Sequence, residues 1–204
     1  LTLKEAVPEK VLSRADKLGA LAKINPSLKY NDRLTEKFQA AQQLSEPGLP
    51  SMALYMALLT YALTDGEIAD LISYLHLPKP LGETLHDSIN LKTKLKSLSK
   101  PKLRPSRVYE LLNGCSATAI KANSLAADSE VARENMQLFL TRLRYVKTTI
   151  TGEDLKKRGI PAGPRIKEIL RRLLKARLDE KVTSRKAEEE LVGREISCRF
   201  LQAL

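Results

Sequence analysis

The sequence predicts an all-α protein, with a multi-helix body domain followed by a smaller helical tail domain. Hydrophobic residues make up 43% of the 204 residues, but aromatic residues only 4%, and there is no Trp. Leu, Ile, Ala and Val must therefore build the core, and their spacing along most of the chain is helical. Alternating strand patterns are weak, and the single Asn-Gly pair, Asn113-Gly114, ends a helical stretch instead of joining two strands.

Residues 1–98 are predicted to form the body domain. Pro8 favours a helix start, and Asn31 is placed to cap the next helix. The stretch MALYMALLTYAL is apolar on all sides, which is typical of a buried central helix. Thr64 and Glu67 then form a capping box for a further helix.

A helix from about Gly82 to Ser97 leads into a basic linker at residues 99–105. The surrounding segment, residues 92–107, has seven basic residues and no acidic one, and it contains two prolines that interrupt the helical pattern. We expect a hinge here, followed by the tail domain at residues 106–204. Ser106 is expected to cap the first tail helix.

Within the tail, LKKRGIPAGPRIKEILRRLLKARLDE predicts two helices joined by a glycine-proline turn. Thr151 and Asp154 form a capping box for the first helix. Gly159 ends it, because glycine tolerates the left-handed backbone of a helix C-cap. Gly163 precedes the second helix, whose first residue is Pro164. The stretch SRKAEEEL predicts one more short helix.

The positive charge is concentrated in two segments. The formal net charge is +11, and residues 92–107 contribute +7 while residues 141–186 contribute +10. The three remaining segments each carry a net charge of −2. Such clustering favours an anionic partner, although a charge run can also be no more than a solvated face.

The glycine-proline hairpin adds a geometric reason for anion binding. A helix start has unpaired backbone N–H groups and a partial positive charge, and Gly163 would let a phosphate approach them. The alternative is a plain helix–helix turn. The predicted phosphate-binding residues are Lys156, Lys157, Arg158, Gly163, Arg165, Lys167, Arg171, Arg172 and Lys175, and then Arg142, Arg144 and Lys147. A second basic strip consists of Lys94, Lys96, Lys100, Lys102 and Arg104.

Catalytic and metal-binding signals are weak. Phosphoryl transfer needs paired carboxylates for magnesium, and the two Asp-x-Glu pairs, at Asp65 and Asp128, lie where acids simply offset a helix dipole. No phosphate-binding glycine loop or nucleophile elbow is present. The candidate metal ligands are isolated: His76, His86, Cys115 and Cys198. We expect no catalytic residue and no metal site in this chain.

Targeting signals are also missing from the sequence. No run of 18 or more apolar residues exists, so we expect no membrane partner, and no signal peptide is visible. We expect a cytoplasmic protein. Leu1 is not an initiator Met, which indicates a piece of a longer chain.

Two stretches resemble the bacterial tRNA nucleotidyltransferases (the CCA-adding and A-adding enzymes) and poly(A) polymerases. PEKVLSRADKLGALAKINPSLKYNDRL resembles the segment that follows the catalytic head and neck of that family. Residues 105–192 resemble its C-terminal tail. The matching tail positions are Thr151, Gly152, Asp154, Leu155, Gly159, Ile160, Gly163, Pro164, Ile169, Leu170, Leu178, Asp179 and Thr183. The family commonly has glycine where this chain has Lys167 and Glu180.

The resemblance implies a non-catalytic RNA-binding region that holds the acceptor/T-arm of a tRNA. The family's nucleotide- and metal-binding residues lie in the head, so magnesium and ATP or CTP are expected there and no cofactor in this chain. The implied partners are structured RNA, above all tRNA, and the catalytic head of the parent protein. The alternatives are a helical module that binds DNA or an acidic protein through its basic segments, and an enzyme in its own right.

Overall fold

The computed structural model describes residue 3 and residues 7–200, which form twelve α-helices and no β-strand, so the all-α prediction is confirmed. The helices are α1 Pro8–Lys17, α2 Ala20–Ile24, α3 Asp32–Gln43, α4 Met52–Leu59, α5 Asp65–Tyr74, α6 Lys79–Leu98, α7 Pro105–Leu112, α8 Ala117–Ala126, α9 Glu130–Thr141, α10 Gly152–Lys157, α11 Pro164–Leu178 and α12 Arg185–Phe200. A 3₁₀ turn, Leu143–Tyr145, follows α9. Among the described residues, no helix has the length and apolar character needed to cross a membrane.

Contacts divide the chain into two compact units, and each unit is built from two separate stretches. The first unit comprises Leu1–Pro101 and Leu112–Leu140, and the second comprises Lys102–Leu111 and Thr141–Leu204. This division differs from the one predicted at residues 99–105. The reason is that α8 and nearly all of α9 pack with the body helices rather than with the tail.

The helix α8 is held in the first unit by a small apolar face and one buried amide. It packs against α3, α4 and α6, and Ala119 and Ala122 are fully buried. The buried Asn123 side chain donates to the carbonyl oxygen of Ser88 at 3.0 Å and accepts from the Tyr61 hydroxyl at 3.1 Å. These contacts join residues 35 and 62 positions apart, so sequence periodicity alone does not reveal them.

The caps predicted in the first unit are present. The Asn31 side chain accepts from the backbone N–H at the third position of α3, and Thr64 and Glu67 form the capping box of α5. Two boundaries differ from prediction. The apolar α4 ends at Leu59, before the end of its apolar stretch, and α6 begins at Lys79, so that Pro80 occupies the first turn, where its missing N–H costs nothing.

The second unit has its own apolar core between α10, α11 and α12. Its buried residues are all aliphatic: Ile150, Leu155, Ile160, Ile166, Ile169, Leu173 and Val192. The predicted capping box of α10 is formed by Thr151 and Asp154. This core fixes the two helices on either side of the glycine-proline turn.

The start of α7 corrects the prediction for Ser106. The helix begins at Pro105, so Ser106 lies inside the first turn and is 1% exposed. Its backbone N–H and its hydroxyl both donate to the Asp179 carboxylate at 2.9 Å. The cap is therefore provided by the residue that follows α11, 73 positions away in sequence.

Candidate nucleic-acid interface

The glycine-proline turn between α10 and α11 has the backbone that its sequence predicts. Gly159 follows α10 with a φ of 81°, and the buried Ile160 anchors the turn to the core. Gly163 has a φ of 144° and a ψ of −159°, a region that is essentially restricted to glycine. Pro164 is the first residue of α11, and no described side chain caps this helix. Its first N–H groups are thus available to a ligand.

A shallow groove of 320 Å³ lies at this helix start, and we call it the hairpin groove. It is lined by Lys156, Ala162, Gly163, Pro164, Ile166 and Lys167. A Cβ atom built on Gly163 would meet no other atom within 4 Å, so the backbone is open to the outside. The structure therefore brings Gly163 together with two of the predicted lysines.

Five of the predicted cations, including Lys156 of the groove, are paired with acidic side chains. The pairs are Lys156–Glu153 at 2.7 Å, Arg158–Glu189 at 2.9 Å, Arg172–Glu168 at 2.6 Å, Lys175–Glu110 at 3.5 Å, and Arg142–Glu180. The hydrogen bond from Lys156 lowers the pKa of the Glu153 carboxyl. Ion pairs as exposed as these contribute little to stability, so a phosphate can replace the carboxylate at low cost.

A second group of predicted cations has no ion-pair partner among the described residues. These residues are Lys147, Lys157, Arg165, Lys167 and Arg171. Four of them are exposed, and Arg165 is partly buried. No bound carboxylate has to be displaced from these side chains before they can contact an anion.

Residues 142–147, which we call the basic turn, include an aromatic residue that the sequence analysis did not single out. Tyr145 is 64% exposed, and the Arg144 guanidinium lies over its ring, 5.2 Å from the ring centroid. Leu143 between the two arginines is 2% exposed and anchors the turn. An aromatic residue inside a basic segment is the sequence signal that could have identified it.

Glu188 is a second residue that the sequence analysis missed. It is fully buried, and its two oxygens accept hydrogen bonds from the backbone N–H groups of Thr149, at 3.0 Å, and Ile150, at 2.8 Å. It also pairs with Arg177 at 2.9 Å. The stretch SRKAEEEL suggests a solvated helix face, so nothing in its pattern marks this one acid as buried.

The second basic strip is divided between the units. Lys94 and Lys96 lie on α6, and Lys100 follows it in the first unit, whereas Lys102 and Arg104 belong to the second. The first unit has 15 basic and 14 acidic residues, and the second has 20 and 10. Nearly all of the surplus positive charge is thus in the unit that contains the hairpin groove.

The two acidic pairs considered for magnesium are engaged in local contacts. Asp65 binds His86 at 2.9 Å, Glu67 closes the capping box of α5, and Asp128 pairs with Arg33. In the described part of the chain, no three His, Cys, Asp or Glu residues are close enough to hold a metal ion. The side chain of Cys198 lies outside the described residues.

The fold is similar to a helical portion of CCA-adding enzymes. A CCA-adding enzyme in complex with CTP superposes with a TM-score of 0.70 at 21% identity, covering 97% of this chain and 48% of that one. The Thermotoga maritima CCA-adding enzyme complexed with tRNA gives a TM-score of 0.67 at 20% identity, covering 94% of this chain and 48% of that one. The chain thus spans about half the length of these solved chains.

The sequence is similar to an A-adding tRNA nucleotidyltransferase from Geobacter sulfurreducens. The two are 29% identical over 210 residues, which cover 95% of this chain and 24% of the relative. No protein-family model matches the chain. The resemblance noted in the sequence is confirmed, and the chain is similar to a region of the tRNA nucleotidyltransferases.

Proposed function

We propose that this chain is an RNA-binding region of a tRNA nucleotidyltransferase and that it holds the acceptor/T-arm of a tRNA by its phosphate backbone. The observation that carries this proposal is the hairpin groove, where open backbone at the start of α11 lies between Lys156 and Lys167. In this proposal the catalytic head, with its magnesium and ATP or CTP, belongs to the rest of the cytoplasmic parent protein.

The chemistry of the groove suits a phosphate group. The N–H groups and the dipole at an uncapped helix start favour a negative charge, and Gly163 lets it come close to the backbone. Ammonium groups on both sides form charge-assisted hydrogen bonds to phosphate oxygens. When a phosphate arrives, Lys156 exchanges its exposed partner Glu153 for it.

The comparisons favour RNA over the other anionic partners. One structural neighbour is complexed with tRNA, and the curated relative is a tRNA nucleotidyltransferase. Contacts to the phosphate backbone do not read bases, so affinity depends on the shape and charge of the arm. Folded tRNA should therefore compete better than duplex DNA of the same length.

The test is a titration of a labelled acceptor–T-arm minihelix with the chain and two charge-reversed variants. The groove variant carries Lys156→Glu and Lys167→Glu, and the control carries Lys29→Glu and Lys121→Glu, two exposed lysines of the first unit. Both variants change the net charge equally. We expect the groove variant to lose at least tenfold in affinity and the control to stay near wild type.

Competition with unlabelled tRNA and duplex DNA completes the experiment. Equal weakening by the two variants would show that diffuse surface charge, and not the groove, binds the RNA. Stronger competition by duplex DNA would support the DNA-binding alternative.

A further inference from the structure

Tyr145 is an exposed aromatic side chain at the centre of the basic turn. It is 64% exposed, and Arg144 covers part of its ring at 5.2 Å from the centroid. Arg142 precedes this pair, and the exposed Lys147, which has no ion-pair partner among the described residues, follows it. Exposing a tyrosine ring to water costs hydrophobic free energy, so this arrangement is unexplained by packing.

The backbone that carries Tyr145 is fixed on both sides. Leu143 is 2% exposed, and Ile150 is 1% exposed in the core of the second unit. The carbonyl oxygen of Arg142 accepts from the Tyr145 N–H at 3.1 Å, and Glu188 holds the backbone N–H groups of Thr149 and Ile150. The ring is therefore presented from an ordered turn, which lowers the entropy lost when a ligand binds.

Two other tyrosines, both among the described residues of the first unit, lack this combination. In the first unit, Tyr61 is partly buried, and two lysine ammonium groups already lie 5.4 and 5.0 Å from its ring centroid. Tyr74 is 66% exposed, but no cation lies over its ring among the described contacts, and the segment around it is not basic. Tyr74 is thus a matched control for exposure alone.

We propose that Arg144 and Tyr145 form a stacking platform for an unpaired base of the bound RNA. An unpaired base offers a π face that stacks on an aromatic ring or an arginine plane, and a neighbouring cation can contact the phosphate of the same nucleotide. Lys147 is placed in sequence to provide that cation. The inference rests on the proposed function and goes beyond it, because a phosphate-binding groove does not distinguish paired from unpaired nucleotides.

The absence of Trp from the sequence makes a direct test possible. Tyr145→Trp and Tyr74→Trp each give a protein with a single Trp. Two RNA probes are titrated: a stem closed by a loop of unpaired bases, and a blunt duplex with the same number of nucleotides. We expect the loop RNA to quench the fluorescence of Trp at 145 and the blunt duplex to leave it unchanged. Trp at 74 should respond to neither probe.

Affinity measurements with the same probes separate stacking from packing. Tyr145→Leu should weaken binding of the loop RNA about tenfold and leave the blunt duplex within twofold, because only the loop has a base to stack. Tyr145→Phe, which keeps the ring, should match wild type, and so should Tyr74→Leu.

The outcomes distinguish the two proposals. If neither probe binds the wild-type chain, the proposed function fails. If both probes bind and Tyr145→Leu weakens them equally, or weakens neither, the function stands and the stacking platform is refuted.

Discussion

At the scale of single residues, the environment of Glu188 differs from the one that its sequence context suggests. Three acids stand together in SRKAEEEL, yet this one is fully buried and accepts hydrogen bonds from two backbone N–H groups and from Arg177. A buried carboxylate is tolerated when its oxygens are paired in this way. Its removal leaves two N–H groups and a partly buried guanidinium without their acceptor.

We therefore predict that Glu188→Ala lowers the free energy of unfolding of the second unit by about 3 kcal/mol. Glu188→Gln keeps the shape and part of the hydrogen bonding, so its cost should be smaller, about 1–2 kcal/mol. Amide hydrogen exchange at Thr149 and Ile150 measures the effect locally. Glu190→Ala, at an exposed position of the same helix, is the control and should leave these amides protected. Unchanged exchange in Glu188→Ala would contradict the structural role.

The backbone at position 180 has a conformation that suits glycine, although this chain has Glu180 there. Its φ is 56°, in the left-handed region where glycine carries no side-chain penalty, and the family commonly has glycine at this position. Here Glu180 pairs with Arg142. A Glu that follows an Asp does not by itself indicate an unusual backbone conformation. Only the resemblance to a family with glycine at this position gives a reason to expect one at residue 180.

At the scale of elements, the glycine-proline turn depends on the backbone of Gly163. Its φ and ψ lie in a region that other residues occupy only with strain. We predict that Gly163→Ala destabilises the second unit by about 1–3 kcal/mol, although the space around the added methyl is empty. The unfolding midpoint in urea is the measurement.

Gly193→Ala is the control, because we expect it to change the free energy of unfolding in the opposite direction to Gly163→Ala. Gly193 lies inside α12 with nothing near its hypothetical Cβ, so Gly193→Ala should stabilise the chain by about 0.5–1 kcal/mol. If both alanine variants shifted the midpoint in the same direction, the strain at Gly163 would not be the cause.

The capping box of α10 should respond to acid. Hydrogen bonds from the backbone N–H and the hydroxyl of Thr151 lower the pKa of the Asp154 carboxyl. The cap is therefore fully formed above the ordinary Asp pKa of about 4, and its contribution declines as the pH falls through the lowered value. We expect the Thr151 amide resonance to shift in that acidic range in NMR spectra. In Asp154→Asn the shift should disappear, and its persistence would assign the titration to another group.

The elements that the sequence predicted are those specified by neighbouring residues. The caps at Asn31, Thr64 and Thr151, and the turn from Gly159 to Pro164, use partners within a few positions. The cap of α7 by Asp179 and the placement of α8 with the body depend on contacts between distant parts of the chain. Contacts between distant residues produce no periodic pattern in the sequence, so the prediction of a boundary at residues 99–105 did not take them into account.

At the scale of the whole molecule, charge is distributed unequally between the two units. The second unit has twice as many basic as acidic residues, whereas the two are nearly balanced in the first. The sequence identified the two basic segments. It did not reveal that the second basic strip, from Lys94 to Arg104, is divided between the two units, because the charge of a segment does not show which contacts its residues make.

For the candidate site, the lysines and the glycine of the hairpin groove were predicted together, while Tyr145 and Glu188 were not.

This charge distribution predicts a steep salt dependence of the proposed RNA binding. Each phosphate that is neutralised releases condensed counterions, so the logarithm of affinity should fall linearly with the logarithm of salt concentration. Reversing Lys156 and Lys167 should reduce the magnitude of that slope by about two, one for each lost contact. Binding measured between about 50 and 200 mM salt gives the slope. A slope near zero for the wild type would contradict an electrostatic interface.

The position of Glu188 in the chain also sets an order of events during synthesis. Thr149 and Ile150 leave the ribosome 39 and 38 residues before the carboxylate that holds them. Until α12 has been made, these N–H groups lack their Glu188 acceptor, and Val192 is missing from the core that α12 shares with α10 and α11. The hairpin groove is therefore supported by its complete core only late in synthesis, after the helix that contains Glu188 has emerged.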